Sequence, residues 1–129
     1  MPHTLHKIGV ASQIGVYSDA AEVAPNQRWL YSAGTPGLAP DGTLPPDIIG
    51  QSQQAWVNIM AILDKAGMAV TDIVKVTTSL TSADYIKDYA KVRAEFLRGY
   101  EPAFMLQIIP GLVRPEMLVE IEIIAAKAA

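Results

Sequence analysis

The chain has 129 residues, half of them hydrophobic and 18% charged, a balance that excludes disorder and supplies enough apolar material for one domain, residues 1–129, with its own core. A net charge of −3 with no basic block argues against nucleic acid, and the lack of cysteine removes disulfides, thiol nucleophiles and thiolate metal sites. No run approaches the ~20 apolar residues of a membrane helix, and Met-Pro-His-Thr-Leu-His-Lys leads into no long apolar segment, so neither a membrane span nor a signal peptide is expected and the chain reads as cytoplasmic.

His3 to Val10 is a possible first edge strand, anchored by Leu5 and Ile8. Gly15-Val16-Tyr17-Ser18 is a short extended piece continuing through Val23, and Pro25-Asn26-Gln27 reads as a turn. The aromatic run Arg28 to Gly34 is the next strand, expected to pair with the piece before the turn. Thr35 to Pro46, rich in proline and glycine, is a long loop, and loops of that length usually bind something or cover an interface. Asp47 to Ala66 repeats its apolar residues at helical spacing and is closed by Gly67. The β-branched run Ile73 to Leu80 is a strand. A second helix runs from Ser82 to about Arg98, with Tyr85, Ile86, Tyr89, Val92 and Phe96 as its stripe, and Gly99 ends it. Phe104 to Ile109 is a fifth strand, linked through Pro110 to Glu116 to a final one, Leu118 to Ala126.

That last strand alternates with a period of two. Val119, Ile121 and Ile123 point one way; Leu118, Glu120, Glu122 and Ile124 point the other. Two carboxylates on one face need water, a counter-charge or a cleft, because a buried unpaired charge is costly. The order of elements suggests an α+β fold with a split β-α-β arrangement and both helices on one face of a single sheet. An open face bearing Glu, Leu and Ile is poorly suited to bulk water, so self-association through it is expected.

Most catalytic kits are absent. His3 and His6 lie in an N-terminus expected to fray and have no third ligand at metal spacing, so no metal site is expected. Gly34-Thr35-Pro36-Gly37 lacks the Gly-Lys-Ser/Thr ending of a phosphate loop, and there is no Gly-x-Ser-x-Gly. What remains is acid–base work by a carboxylate, with Glu120 as the candidate; the alternative is a structural glutamate paired with Lys75 or Arg28 across the sheet. Trp56 and Tyr85 read as packing residues.

Gly15-Val16-Tyr17-Ser18 resembles the Gly-Pro-Tyr-Ser signature of the Rid (YjgF) family of imine/enamine deaminases. The likeness continues through Ser32-Ala33-Gly34 with Pro36, Asp41 to Pro45, the helix containing Asn58, Asp72 to Thr77, Asp84-Tyr85, Ala94-Glu95-Phe96, Pro102-Ala103 and Val119 to Glu122. It covers essentially the whole chain in order. The resemblance implies a chorismate-mutase-like α+β fold, assembled as a homotrimer with ligand clefts between subunits, and calls for no cofactor. In relatives that hydrolyse 2-imino acids, an arginine just after the Pro-Ala pair grips the substrate carboxylate. A glutamate matching Glu120 orients or activates water, and residues matching Tyr17 and Ser32, beside Ala33, line the cleft. This chain keeps Tyr17, Ser32 and Glu120 but has Phe104-Met105-Leu106 where the arginine belongs, and Tyr89 replaces a family asparagine. Phenylalanine cannot pair with a carboxylate, so a pocket of Phe104, Met105, Leu106 and Tyr89 favours a flatter, less charged ligand than a small 2-imino acid. Arg114 or Arg28 is the candidate replacement clamp. Two functions follow as expectations: a deaminase of a reactive imine or enamine, or a homotrimer that binds a small molecule without converting it.

Overall fold

The computed structural model describes residues 3–129. In chain order its elements are β1 (His3–His6), β2 (Ala20–Val23), β3 (Gln27–Tyr31), β4 (Thr35–Pro36), α1 (Ile48–Lys65), β5 (Ile73–Leu80), α2 (Ile86–Leu97), β6 (Ala103–Ile108) and β7 (Val119–Ala128). No helix among these residues is long and apolar enough to cross a membrane.

The alternating strand Val119–Ala128 lies inside the main sheet, whose order is β3-β7-β5-β6, with β4 also paired to β7. Strands β3, β4 and β5 run antiparallel to β7, while β6 runs parallel to β5 through the α2 crossover. The unit β3-α1-β5 is therefore split: β7 slots between its two strands. Both helices cover the face carrying Val119, Ile121 and Ile123, which are buried together with Val76 and Leu80 of β5 and Ala55, Trp56, Ile59 and Leu63 of α1. Each of the valine, leucine and isoleucine side chains among them contributes about 1.5–3 kcal/mol by leaving water. The opposite face carries Glu122 opposite Thr77 and Glu120 opposite Ser79. Trp29, Tyr31 and Met105 are about half exposed or more.

Helix α1 begins where Asp47 accepts a hydrogen bond from the Gly50 amide (2.7 Å), a side-chain cap. At its other end Gly67 takes φ +68°, Arg28 donates to the Ala66 carbonyl (3.2 Å) and Lys127 to that of Gly67 (3.0 Å), cations placed at the negative end of the helix dipole. Buried Gln51 donates to the carbonyls of Pro45 and Glu116 and accepts from the Leu118 amide, bolting α1 to the loop that leads into β7. Asn58 donates to the carbonyls of Pro36 and Leu38, so the stretch from Thr35 to Pro46 is pinned at its start to α1 as well as paired to β7.

Two local expectations are corrected. Strand β3 does not pair with the piece before the turn: β2 pairs with β1, in a separate two-stranded sheet, and β3 pairs with β7. Pro25 brings no amide to a hairpin ladder, and Asn26 takes a left-handed φ of 62°, so the chain leaves β2 and enters the other sheet. His3 does not fray. It is buried in β1, its Nε2 2.8 Å from the Asp72 carbonyl oxygen, while exposed His6 pairs with Glu22.

Candidate active site

Glu120 stands on β7 between Pro36 of β4 and Ser79 of β5, on the face away from the helices. With Gly34, Thr77, Ser79, Gln107 and Glu122 it lines a polar recess of about 150 Å³, room enough for ordered water. Gln107 donates to the Ser79 hydroxyl across the recess (2.9 Å). The path from β3 to β4 decides how close the backbone comes. Ser32 Oγ accepts from the Ile123 amide (2.8 Å) and donates to the Ala33 carbonyl (2.9 Å), drawing the bend onto β7. Gly34 then lies directly against the glutamate: a Cβ at that position would sit 2.7 Å from Glu120 Cδ. The two ion pairs among the described residues, His6–Glu22 and Lys7–Glu101, leave Glu120 without a cation. Neither Lys75 nor Arg28 neutralises it, and Arg28 is engaged at the end of α1.

A second recess opens at the free edge of β6. Ser18 is fully buried; its amide donates to the Pro102 carbonyl (3.1 Å) and its hydroxyl to that of Glu101 (2.6 Å). These bonds lay the Gly15–Ser18 segment along the start of β6, so the Tyr17 ring stacks on Phe104 with centroids 5.1 Å apart and planes at 26°. Asp19 holds the preceding loop by accepting from the amides of Ile8 (2.8 Å) and Ala11 (2.9 Å), bonds that pull its carboxyl below the usual range. Between this segment, α2 and β6 lies a cavity of about 640 Å³ with walls that include Val16, Tyr17, Leu97, Phe104, Met105 and Leu106. Among the described residues one cation lines it, Arg93 of α2. The Arg93 guanidinium lies 4.0 Å from the Phe104 ring centroid and 5.4 Å from that of Tyr89. Burial lowers its pKa from the ordinary value, and the hydroxyls of Tyr89 and Tyr17 partly oppose that.

Among the candidates from sequence, Tyr17, Phe104, Met105 and Leu106 come together on this cavity, whereas Glu120 lines the polar recess; Ser32 and Ala33 line neither and form the bend that leads to Gly34. Tyr89 is on neither wall. It is fully buried behind the cavity, its hydroxyl 2.6 Å from Thr78 Oγ1, and desolvation raises its pKa. Arg114 is exposed in the loop before β7 and lines neither recess. Phe104 pairs with Val76, which faces the helices, and Glu120 with Ser79, which faces away, so the two recesses open on opposite faces of the sheet. Sequence reasoning passed over Arg93. The available signal was its spacing: four residues after Tyr89, it shares that residue's helix face.

The split sheet, its two helices and the paired recesses define an α+β domain with a ligand-sized apolar cavity on one side and an acidic polar pocket on the other. Residues 9–127 match the profile of the family described as Endoribonuclease L-PSP, and the chain belongs to that family, which includes the Rid (YjgF) proteins. A RutC family protein of Pasteurella multocida is 31% identical over 134 residues, covering 99% of this chain and 100% of the relative. The 2-iminobutanoate/2-iminopropanoate deaminase of Mus musculus is 30% identical over 116 residues, covering 88% and 83%. Among solved structures, the Rid-family protein YyfB of Yersinia pestis, of unknown function, superposes with a TM-score of 0.87 at 27% identity, covering 98% of this chain and 100% of that one. RidA from an Antarctic Psychrobacter gives a TM-score of 0.72 at 30% identity, with 93% and 92% covered.

Proposed function

We propose that this chain hydrolyses a reactive imine or enamine in a cleft completed by neighbouring copies in a homotrimer, with Glu120 positioning or activating the water. The observation that carries the reading is the Glu120 carboxylate: without an ion-pair partner among the described residues, set in a polar recess, and approached so closely by Gly34 that a side chain there would displace it. A carboxylate so placed accepts a proton from water as its oxygen bonds to the C=N carbon, then returns that proton to the nitrogen. Collapse of the carbinolamine releases ammonia and leaves a carbonyl. The deaminase names of the mouse relative and of an Escherichia coli relative, a putative reactive intermediate deaminase 25% identical to this chain, support the same chemistry.

Within one copy the apolar cavity and Glu120 face opposite ways, so substrate held in the cavity meets a glutamate only when a second copy supplies it. The exposed Trp29, Tyr31 and Met105 give such an assembly apolar surface to bury. Phe104 in place of the clamp arginine directs the preference away from small 2-imino acids. The test is a coupled assay in which an amino-acid oxidase generates imines in situ, small and bulky in parallel. Acceleration that disappears in Glu120→Gln supports the mechanism; turnover unchanged by that substitution overturns it. Ligand binding with no acceleration of any imine would leave a binding trimer as the function.

A further inference from the structure

The cavity at the β6 edge is built to hold more than an apolar body. Among the described residues Arg93, half-buried on α2, is the one cation on its wall, and no carboxylate lies within ion-pair distance of it. Its guanidinium rests instead against the rings of Phe104 and Tyr89, with the Tyr89 hydroxyl beside it, contacts that fix a flat cation in place and leave donors of its five-donor fork for a further partner. Stacked Tyr17 and Phe104 form an aromatic wall beside it, with Leu97, Met105 and Leu106 completing an apolar surround. A cation held by ring faces, with no carboxylate partner among the described residues, in a cavity of about 640 Å³, is complementary to an anion carried on a flat apolar body.

We infer that Arg93 is the anchor for a carboxylate-bearing ligand with an aromatic or similarly flat apolar group, the group packing on Tyr17 and Phe104. This rests on the reading of the protein as an imine or enamine hydrolase only for the statement that the ligand is its substrate. The binding site itself stands on the cavity alone. Arg93 is thereby a specificity residue: it admits a carboxylate that Phe104 cannot grip, and the cavity walls demand that the carboxylate come with apolar bulk.

The experiment is calorimetric titration of the full-length protein with three probes: phenylpyruvate, a stable carbonyl analogue of an aromatic 2-imino acid; pyruvate, with the same carboxylate and no ring; and phenylacetamide, with a ring and no charge. The native protein is expected to bind phenylpyruvate at least tenfold more tightly than either of the others. Arg93→Met, which keeps the stem and removes the charge, is expected to lose tenfold or more for phenylpyruvate and nothing for phenylacetamide, as for a lost charge-assisted pair. Arg93→Lys, a point cation without the fork, is expected to fall between. Equal affinity of the native protein for phenylpyruvate and phenylacetamide, or for phenylpyruvate and pyruvate, overturns the inference whether or not the variants fold. So does phenylpyruvate binding unchanged in Arg93→Met. The hydrolase reading fails separately: if phenylpyruvate binds through Arg93 while no imine is turned over, the anion site stands and the chemistry assigned to Glu120 does not.

Discussion

Replacing Gly34 by alanine separates the position of the Glu120 carboxylate from the stability of the fold. Gly34 is exposed and does not occupy the left-handed region, so its backbone accepts a Cβ without strain. The nearest atoms that Cβ meets belong to Glu120, at 2.7 Å from Cδ and 3.2 Å from Cγ, well inside van der Waals contact. The glutamate is a flexible side chain on an open face and escapes by rotating, so folding free energy changes little. At a site compatible with alanine, removing glycine's freedom in the unfolded chain stabilises by about 0.4–1 kcal/mol. The carboxylate, however, must move by roughly an ångström or more, and a displacement of that size in a catalytic group costs on the order of 100-fold in rate. The expected outcome is kcat/KM for imine hydrolysis lowered about 10- to 100-fold, or about 1.4–2.7 kcal/mol of transition-state stabilisation. The urea midpoint is expected to stay level or rise. Full activity in Gly34→Ala would show that turnover does not depend on where Glu120 sits, and the mechanism would have to be abandoned.

Tyr89→Phe strands the buried Thr78 hydroxyl and is expected to cost about 1–3 kcal/mol in urea unfolding, most of it recovered when Thr78→Val is added to the same chain. Tyr100 donates to the Ile73 carbonyl (2.6 Å), and burial with the nearby Asp72 charge pushes its pKa up to about 12. Because the folded value lies above the unfolded one, its contribution is complete below about pH 10 and fades as pH rises towards 12. Tyr100→Phe should therefore flatten the loss of stability over that alkaline window. Asp19 has the opposite sign: its lowered pKa gives stability that is present above the ordinary carboxylate range and lost as pH falls through the folded value, so Asp19→Asn should flatten the acid limb of a pH–stability curve.

Features written in local pattern were legible in the sequence. The alternation of Val119 to Ile123 and the helical spacing between Asp47 and Ala66 specify their buried faces by geometry alone, and both appear as read. Strand partnership is not local. Gln27 to Tyr31 looked like half of a hairpin, yet Leu30 is needed over the helix-covered face opposite Ala125, from the far end of the chain. His3 is held by a carbonyl sixty-nine positions away, which no periodicity announces. At the site, residue types were readable but their grouping was not. Glu120 and Phe104 belong to faces set by register against β5, and a one-residue shift would exchange them. Arg93 went unnoticed because a charge on a helix reads as solvated; what makes it informative is the ring beneath it, supplied by a strand after the next turn.

The position of β7 has a consequence for how the molecule comes into being. It follows every one of its partners in the chain, yet β3, β4 and β5 all hydrogen-bond to it. Until β7 arrives, β3 has no neighbour, β5 is bonded on one side only, and the apolar surface of α1 lacks much of what it covers. Such distant pairing closes long loops before it gains contacts, which slows folding. The strand that carries Glu120 is the one that closes the sheet. The candidate catalytic group and the pairing that completes the core thus sit on the same strand, so a chain that loses the docking of β7 loses both together.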